Sequence, residues 1–302
     1  MGINVVGELN HRGRRLGLPN YRKSVSEVAV HGRRGVLVRF IADEANRPLY
    51  ENNITACLKL AELGLPGPRL LHRDDERMEF ITTHLGKQLD IFIAEAADRF
   101  VAERAVAQAV AYIAKVNRAT SAEVEFVRPE YVERVVSALE TCPGPQRDGF
   151  WSRLPRLREL TGYLDARWTG HRLREGLGMA DLHVSNLAVG SDGQIAMFDF
   201  DHFREYYNVN YLLAYVRVTL SWSLPDRWRD LPALVDEEAR KTEGWSQELY
   251  AYGQIACHAT KLLDRYLPEV RGMAPAVAST THEDVSRAIA AIERLAEAVL
   301  DA

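Results

Sequence analysis

Asp181-Leu182-His183-Val184-Ser185-Asn186 runs into two short apolar segments, Leu187–Val189 and Ile195–Phe198, and these end in Asp199-Phe200-Asp201. Between the segments stands Gly190-Ser191-Asp192-Gly193, a turn cluster whose glycines tolerate positive φ, so the two apolar runs are expected to fold back as a hairpin. That brings Asn186 and Asp199 together at one end. One amide oxygen and one carboxylate could then hold a hard cation such as Mg2+, with phosphate oxygens and water completing the octahedron. Asp181 would lie beside the metal, placed to take the proton of an attacking hydroxyl. A lone D-x-x-x-x-N occurs often in turns and caps, where Asp and Asn are ordinary residues. The same spacing followed by a hairpin and a second acidic site is far rarer and points to phosphoryl transfer.

The segment resembles the motif of the aminoglycoside phosphotransferase and choline/ethanolamine kinase superfamily, H-G-D-L-H-x-x-N followed by I-D-F/W-D/E. Asp181, Leu182, His183, Asn186, Asp199, Phe200 and Asp201 stand at matching places. The usual His-Gly is Met179-Ala180 here, and the aspartate that commonly follows the metal motif is replaced in the run Asn208–Leu213. The resemblance spans about residues 20 to 225. It implies an α+β, protein kinase-like two-lobed fold: a small antiparallel β lobe with one helix, residues 1–85, which binds nucleotide, and a larger mainly helical catalytic and substrate lobe, residues 86–302. ATP is the implied phosphate donor and Mg2+ the implied metal, with Asp181 catalytic and Asn186 and Asp199 as metal ligands.

The N-terminal residues fit that outline. Val25–Val30 and Val36–Ile41 are β-branched and alternating, and Gly32-Arg33-Arg34-Gly35 reads as the turn between them. Arg39 occupies the second strand where the resemblance puts the cation that contacts the α- and β-phosphates; a solvated strand arginine is the plain alternative. Leu49–Leu63 has helical spacing and stops at Gly64, with Pro66 and Pro68 beyond. Glu51 near its start is the candidate partner of Arg39, with Glu44 a second choice. Met78–Thr83 reads as a strand leading to Gly86-Lys87-Gln88-Leu89, and by the resemblance the Thr82 carbonyl and His84 amide face the adenine edge. No glycine-rich phosphate loop of the Walker or dinucleotide type is present. The turn Tyr21–Ser26, with Ser24 at its centre, is the candidate phosphate cover, or else an ordinary surface turn.

At 302 residues the chain suits two lobes, and a net charge of −4 argues against a nucleic-acid partner. Arg12-Gly13-Arg14-Arg15 lacks interleaved aromatics to stack bases. Cys57, Cys142 and Cys257 have no metal-binding spacing and leave one unpaired, which fits a reducing cytoplasm. No signal peptide or spanning run reads from the sequence. Helical stretches are expected at Phe100–Val116, Val209–Leu220, Glu237–Thr242, Ser246–Leu267 and Asp284–Leu300, with a loop at residues 141–145. Trp222, Trp228, Trp245, Tyr250 and Tyr252 lie among Asp226, Glu237, Glu238 and Glu248; they could recognise a cationic amine, but helical core packing explains the tryptophans without a ligand and is the favoured reading. His171 and His202 have no second ligand at metal spacing.

The preferred reading is an ATP- and Mg-dependent kinase acting on a hydroxyl of a small molecule, aminoglycoside-like, choline-like or another amino-alcohol or antibiotic. The alternative is a non-catalytic kinase-fold nucleotide-binding or regulatory protein, suggested by Met179-Ala180. A protein kinase is disfavoured because no A-P-E segment follows Asp199.

Overall fold

A computed structural model describes residues 3–8, 22–126, 155–266 and 282–301. The expected loop at 141–145, the arginines at 12–15, Tyr21 and Cys142 lie outside them. The first strands are β1 (Ile3–Glu8), β2 (Lys23–Val30) and β3 (Arg33–Phe40). The β2–β3 turn is tighter than the sequence suggests: Val30 is registered with Arg33, and only His31 and Gly32, at φ +50° and +76°, make the bend. Two consecutive positive φ values match the right-handed twist of the flanking strands, so Arg33, Arg34 and Gly35 are strand residues. Lys23–Ser26 likewise belong to β2 and form no phosphate-covering turn.

Asp43 caps a single turn at Glu44–Asn46 by accepting the Ala45 N–H at 2.9 Å. Helix α1 (Arg47–Glu62) then carries Pro in its first turn, where no amide is missed, and closes before Gly64 at φ +65°. Strands β4 (Leu70–Asp74) and β5 (Glu79–Thr83) complete an antiparallel five-stranded sheet in the order β1-β2-β3-β5-β4. Tyr50 and Ile54 of α1 bury against Phe40, Met78 and Phe80 of the sheet. Phe40 and Tyr50 meet edge to face at 6.2 Å, a geometry worth about 0.5–1.5 kcal/mol beyond area burial.

After β5 come β6 (Lys87–Gln88), α2 (Leu89–Glu95) and α3 (Arg99–Ala119). Then follow β7 (Ala122–Glu125), α4 (Pro155–Trp168), β8 (Arg172–Met179), the hairpin β9 (Leu187–Val189) and β10 (Ile195–Met197), and β11 (Phe203–Tyr207). The chain ends in α5 (Val209–Ser223), α6 (Leu231–Ala239), α7 (Gln247–Tyr266) and α8 (His282–Leu300). Helix α6 begins six residues before the helix expected at Glu237, because Asp230-Leu231-Pro232 supplies a proline-marked start. Strands β7, β8 and β11 carry no clear alternation and were not expected. No described helix is long and apolar enough to cross a membrane.

By packing, the chain divides into two compact units, Met1–Tyr112 with His183–Arg204, and Ile113–Leu182 with Glu205–Ala302. In the first, β6 pairs with β9 to make the three-stranded sheet β10-β9-β6. The Tyr112 hydroxyl donates to the Pro66 carbonyl at 2.5 Å and accepts the Met197 N–H at 3.2 Å, tying the hairpin to the loop after α1. In the second unit β8 runs between β7 and β11, and α5 is buried along nearly its whole length, as a helix apolar on all sides must be.

Gly86 fixes the approach of β6 to the hairpin. Its φ is +121°, and a Cβ there would stand 2.1 Å from the Val189 carbonyl oxygen. Gly86→Ala is expected to cost roughly 2–4 kcal/mol through combined backbone strain and steric overlap. Chemical denaturation checks this; an unchanged midpoint would mean the two segments are not held as described.

Candidate active site

The first unit assembles its charged centre around Lys23. The alternation of β2 turns this first residue inward, and its side chain is only 7% exposed. An ammonium at that depth requires counter-charges. It donates to Asp199 and, at 2.7 Å, to Asp201, and it sits 5.5 Å from the centre of the Phe40 ring. Burial alone would lower the Lys23 pKa, but the two carboxylates outweigh it and hold the amine charged. The Asp201 pKa is raised as well: burial, then the neighbouring Asp199 charge, outweighs the pull of Lys23. One cation between two carboxylates leaves the group with residual negative charge.

Helix α1 fixes the acidic turn with two asparagines. Asn53 Nδ2 donates to Asp201 Oδ1 at 2.8 Å, while its Oδ1 accepts the Phe200 N–H at 3.0 Å. Asn52 Nδ2 donates to the Asp201 carbonyl at 2.8 Å. Asp199, between these anchors and the Phe198 N–H to Asn186 carbonyl bond of 3.0 Å, is held at φ +64°. Only a surrounding structure that over-determines the backbone keeps a non-glycine residue there. His183 shapes the start of the loop, its Nδ1 accepting the Ser185 N–H at 3.1 Å. The hairpin is as expected, with Ile195 opposite Val189 and Gly193 at φ +78°.

Asn186, Asp199 and Asp201 offer hard oxygen donors, and the residual negative charge favours a cation, so the residues fit Mg2+. Among the described residues no group of three or more His, Cys, Asp and Glu side chains is arranged as a metal site.

The second unit builds the Asp181 half. Met179 and Ala180, in place of His-Gly, are each 1% exposed and fill apolar space below the loop. Asp181 Oδ1 accepts the Tyr215 hydroxyl of α5 at 2.9 Å, which fixes the carboxylate's direction. The missing downstream aspartate is replaced by amides. Asn208 caps α5 and its Oδ1 accepts both the Asn210 N–H and, at 2.8 Å, Asn210 Nδ2; Asn210 also bonds the Gly244 carbonyl and the Ser246 N–H. Asn117 spans β8 and β11 through the Leu177 and Tyr207 carbonyls.

The other anticipated residues are placed differently. Arg39 does not pair with Glu51: it is exposed on β3, and its Nε donates to Glu79 across the strand pair at 2.8 Å. Ser24 is exposed in β2, opposite Arg39. Thr82 is buried between β3 and β4, in register with Val36 and Leu70, and the His84 amide has a long 3.4 Å contact to the Arg34 carbonyl that a ligand could displace. Several of the aromatic and acidic residues of 222–252 are occupied within the fold. Tyr250 and Tyr252 are core residues, Asp226 pairs with Arg229, Glu238 with Lys241 and Glu248 with Arg167. Lys23, Asn53 and Tyr215 escape sequence reasoning because nothing local marks them.

No family model matches the sequence, and no curated protein does. Solved structures do. Aminoglycoside phosphotransferase APH(4)-Ia superposes with a TM-score of 0.60 at 15% identity, covering 98% of this chain and 94% of that one. Choline kinase LicA from Streptococcus pneumoniae gives 0.53 at 14%, covering 98% and 94%. APH(3'')-Id from Streptomyces rimosus, solved with ADP and streptomycin, gives 0.51 at 16%, covering 78% and 90%. The chain therefore has the kinase-like fold of the aminoglycoside phosphotransferases and choline kinases, with an antiparallel sheet unit and a helical unit.

Glu175 on β8 gives the Asp181 half a pH signature. Burial pushes its pKa up to about 7, against the opposing hydrogen bond from Asn208. Because the folded value lies above the unfolded one, the native state binds the proton more tightly, and stability falls as pH rises from about 4.5 through 7. Glu175→Gln is expected to remove that slope and to exceed the natural protein in melting temperature at pH 8 but not at pH 5. Parallel melting curves across this range would refute the assignment.

Proposed function

We propose that this protein is an ATP- and Mg-dependent phosphotransferase that moves the γ-phosphate to a hydroxyl of a small molecule. The observation that carries the reading is the pairing of two chemistries in one sequence motif: the Asp181 carboxylate, which accepts the Tyr215 hydroxyl, and a buried Lys23–Asp199–Asp201 group, one cation to two carboxylates, after the hairpin. Residues 1–85 are the proposed nucleotide-handling lobe and residues 86–302 the catalytic and substrate lobe. Asp181 takes the acceptor's proton, or orients its hydroxyl, as the oxygen attacks phosphorus. Asn186 and Asp199 would hold Mg2+, which supplies charge neutralisation at the phosphates. Lys23, which already donates to the Asp199 carboxylate, would share it with Mg2+ and add a second positive charge beside the phosphates.

Ser24, Arg39, Thr82 and His84 remain the proposed nucleotide contacts, with Lys23 now the stronger candidate for the phosphate cation, since Arg39 is exposed and already paired. Glu51 keeps only the role of a surface residue near the start of α1. The acceptor class is an amino-alcohol or antibiotic, by analogy with proteins of the same fold. A non-catalytic nucleotide binder is the second reading, favoured by Met179-Ala180 in place of His-Gly.

Two measurements test this. Asp181→Asn is expected to leave ATP affinity nearly unchanged and to lower turnover about a hundredfold or more, because it removes the base without touching the metal. Measurable ATP binding without any ADP release from the natural protein across a panel of amino-alcohols and antibiotics would favour the binder. Lys23→Ala is expected to weaken ATP by about tenfold or more while adenosine changes little, as charge-assisted bonds of roughly 1.5–3 kcal/mol are lost. Arg39→Ala should show a smaller version of the same difference. Equal losses for ATP and adenosine in either variant would point to a destabilised lobe, and no effect on either ligand would remove that residue from phosphate contact.

A further inference from the structure

A cavity of about 490 Å³ opens inside the second unit where the end of α5 meets α6, α7 and α8. Its volume suits a metabolite-sized ligand. Arg217, Arg287 and Arg294 line it together with Trp222, Trp228 and His258. Asp226, the carboxylate in the described wall, is taken up by Arg229 at 2.8 Å, and Asp236 behind the wall bonds Arg217 at 3.3 Å. By composition the lining is basic, with four arginines (Arg217, Arg229, Arg287 and Arg294) to the one carboxylate of Asp226.

Two further observations point to a ligand and not to a merely basic surface. Among the described residues, His258, 4% exposed, has no hydrogen-bond partner for either ring nitrogen, and Trp228, 7% exposed, has none for its indole N–H. Buried polar groups left this way are destabilising, and two of them in one cavity wall is an arrangement that a bound acceptor would relieve. Burial, with the charges of Arg217 and Arg294, pushes the His258 pKa down to about 3, so the ring is neutral and offers one N–H. Trp222 packs beside it at 6.2 Å between ring centres, giving the cavity a flat apolar side. Tyr215 and Arg217 are two residues apart on α5, roughly 200° around the helix, so this cavity and Asp181 use opposite faces of it.

We propose that this cavity is a second ligand site that binds a small organic anion, a carboxylate or phosphate monoester carried on a flat apolar body. The anionic head meets Arg287, Arg294 and the two unpartnered N–H groups, and the body lies against Trp222. Such a ligand differs in charge from the amines the phosphotransfer reading implies for the acceptor, and the site stands whether or not that reading holds.

Calorimetric titration of the full-length protein tests it with four probes: phenyl phosphate, benzoate, inorganic phosphate and benzyl alcohol. Phenyl phosphate or benzoate should bind at least about tenfold more tightly than inorganic phosphate, with benzyl alcohol not binding, because head and body are both needed. Which of the two wins tells a phosphate monoester from a carboxylate. Arg287→Ala with Arg294→Ala, two exposed residues whose loss leaves the circular dichroism unchanged, should weaken the better probe by about tenfold or more. Trp222→Ala should weaken the aromatic probes and leave inorganic phosphate unaffected. Asp181→Asn should bind like the natural protein even if turnover is lost, which separates this site from the phosphotransfer centre. The proposal is overturned if no probe binds, if inorganic phosphate binds as tightly as phenyl phosphate, if the double arginine variant keeps full affinity, or if ATP competes with the better probe.

Discussion

The buried ammonium of Lys23 is the constraint on which the first unit turns. A lysine at 7% exposure on the inner face of a sheet is tolerable only with counter-charges at contact distance, and Asp199 and Asp201 supply them. Removing either side would strand charge in a poorly solvated place, so the strand that bears the lysine and the turn that bears the carboxylates must be built together. The neutral amides of Asn52 and Asn53 complete the arrangement by holding the turn without altering its charge. The Asp199 carboxylate thus keeps a defined direction even with its backbone in the left-handed region.

The Asp181 half follows a different principle. Where the similar proteins' motif uses His-Gly and a later acid, this chain uses apolar volume and amides: Met179 packs, Tyr215 aims the carboxylate, and Asn117, Asn208 and Asn210 tie strand, loop and helix through uncharged hydrogen bonds. A charged brace titrates and an amide brace does not. Glu175 alone among the polar groups threaded through this network carries a strongly displaced pKa that responds near neutrality.

Much of the fold was legible because its signals are local. The β9–β10 hairpin announces itself by Gly190–Gly193, and α1 by its apolar spacing and Gly64. The acidic motif carried the kinase-like fold by itself. What escaped depends on distant partners. Lys23 reads as one polar residue among Arg22, Ser24 and Ser26, and its carboxylates lie 176 and 178 positions away. Arg39 could be assigned to Glu51 because helix and strand look adjacent in sequence, whereas strand register delivers Glu79 to it. Gly32–Gly35 looked like a four-residue turn because nothing in His31 advertises a positive φ. The cavity arginines Arg217, Arg287 and Arg294 lie on α5 and α8, far apart in sequence, and become one surface only after the helices pack.

The first unit is discontinuous, with residues 113–182 intervening before its hairpin. On the ribosome, Lys23 leaves the tunnel well before the carboxylates that will neutralise it; at about 5–20 residues per second the wait for Asp199 is roughly 10–35 s. During that interval the five-stranded sheet can form but cannot bury its innermost cation, and Pro66 and α3 lack the hairpin that Tyr112 later joins to them. The nascent sheet is therefore obliged to stay open at one edge of its core until residues 113–182 of the other unit have been translated, and a truncation short of residue 199 would leave a solvent-facing lysine where the finished protein has an interior one.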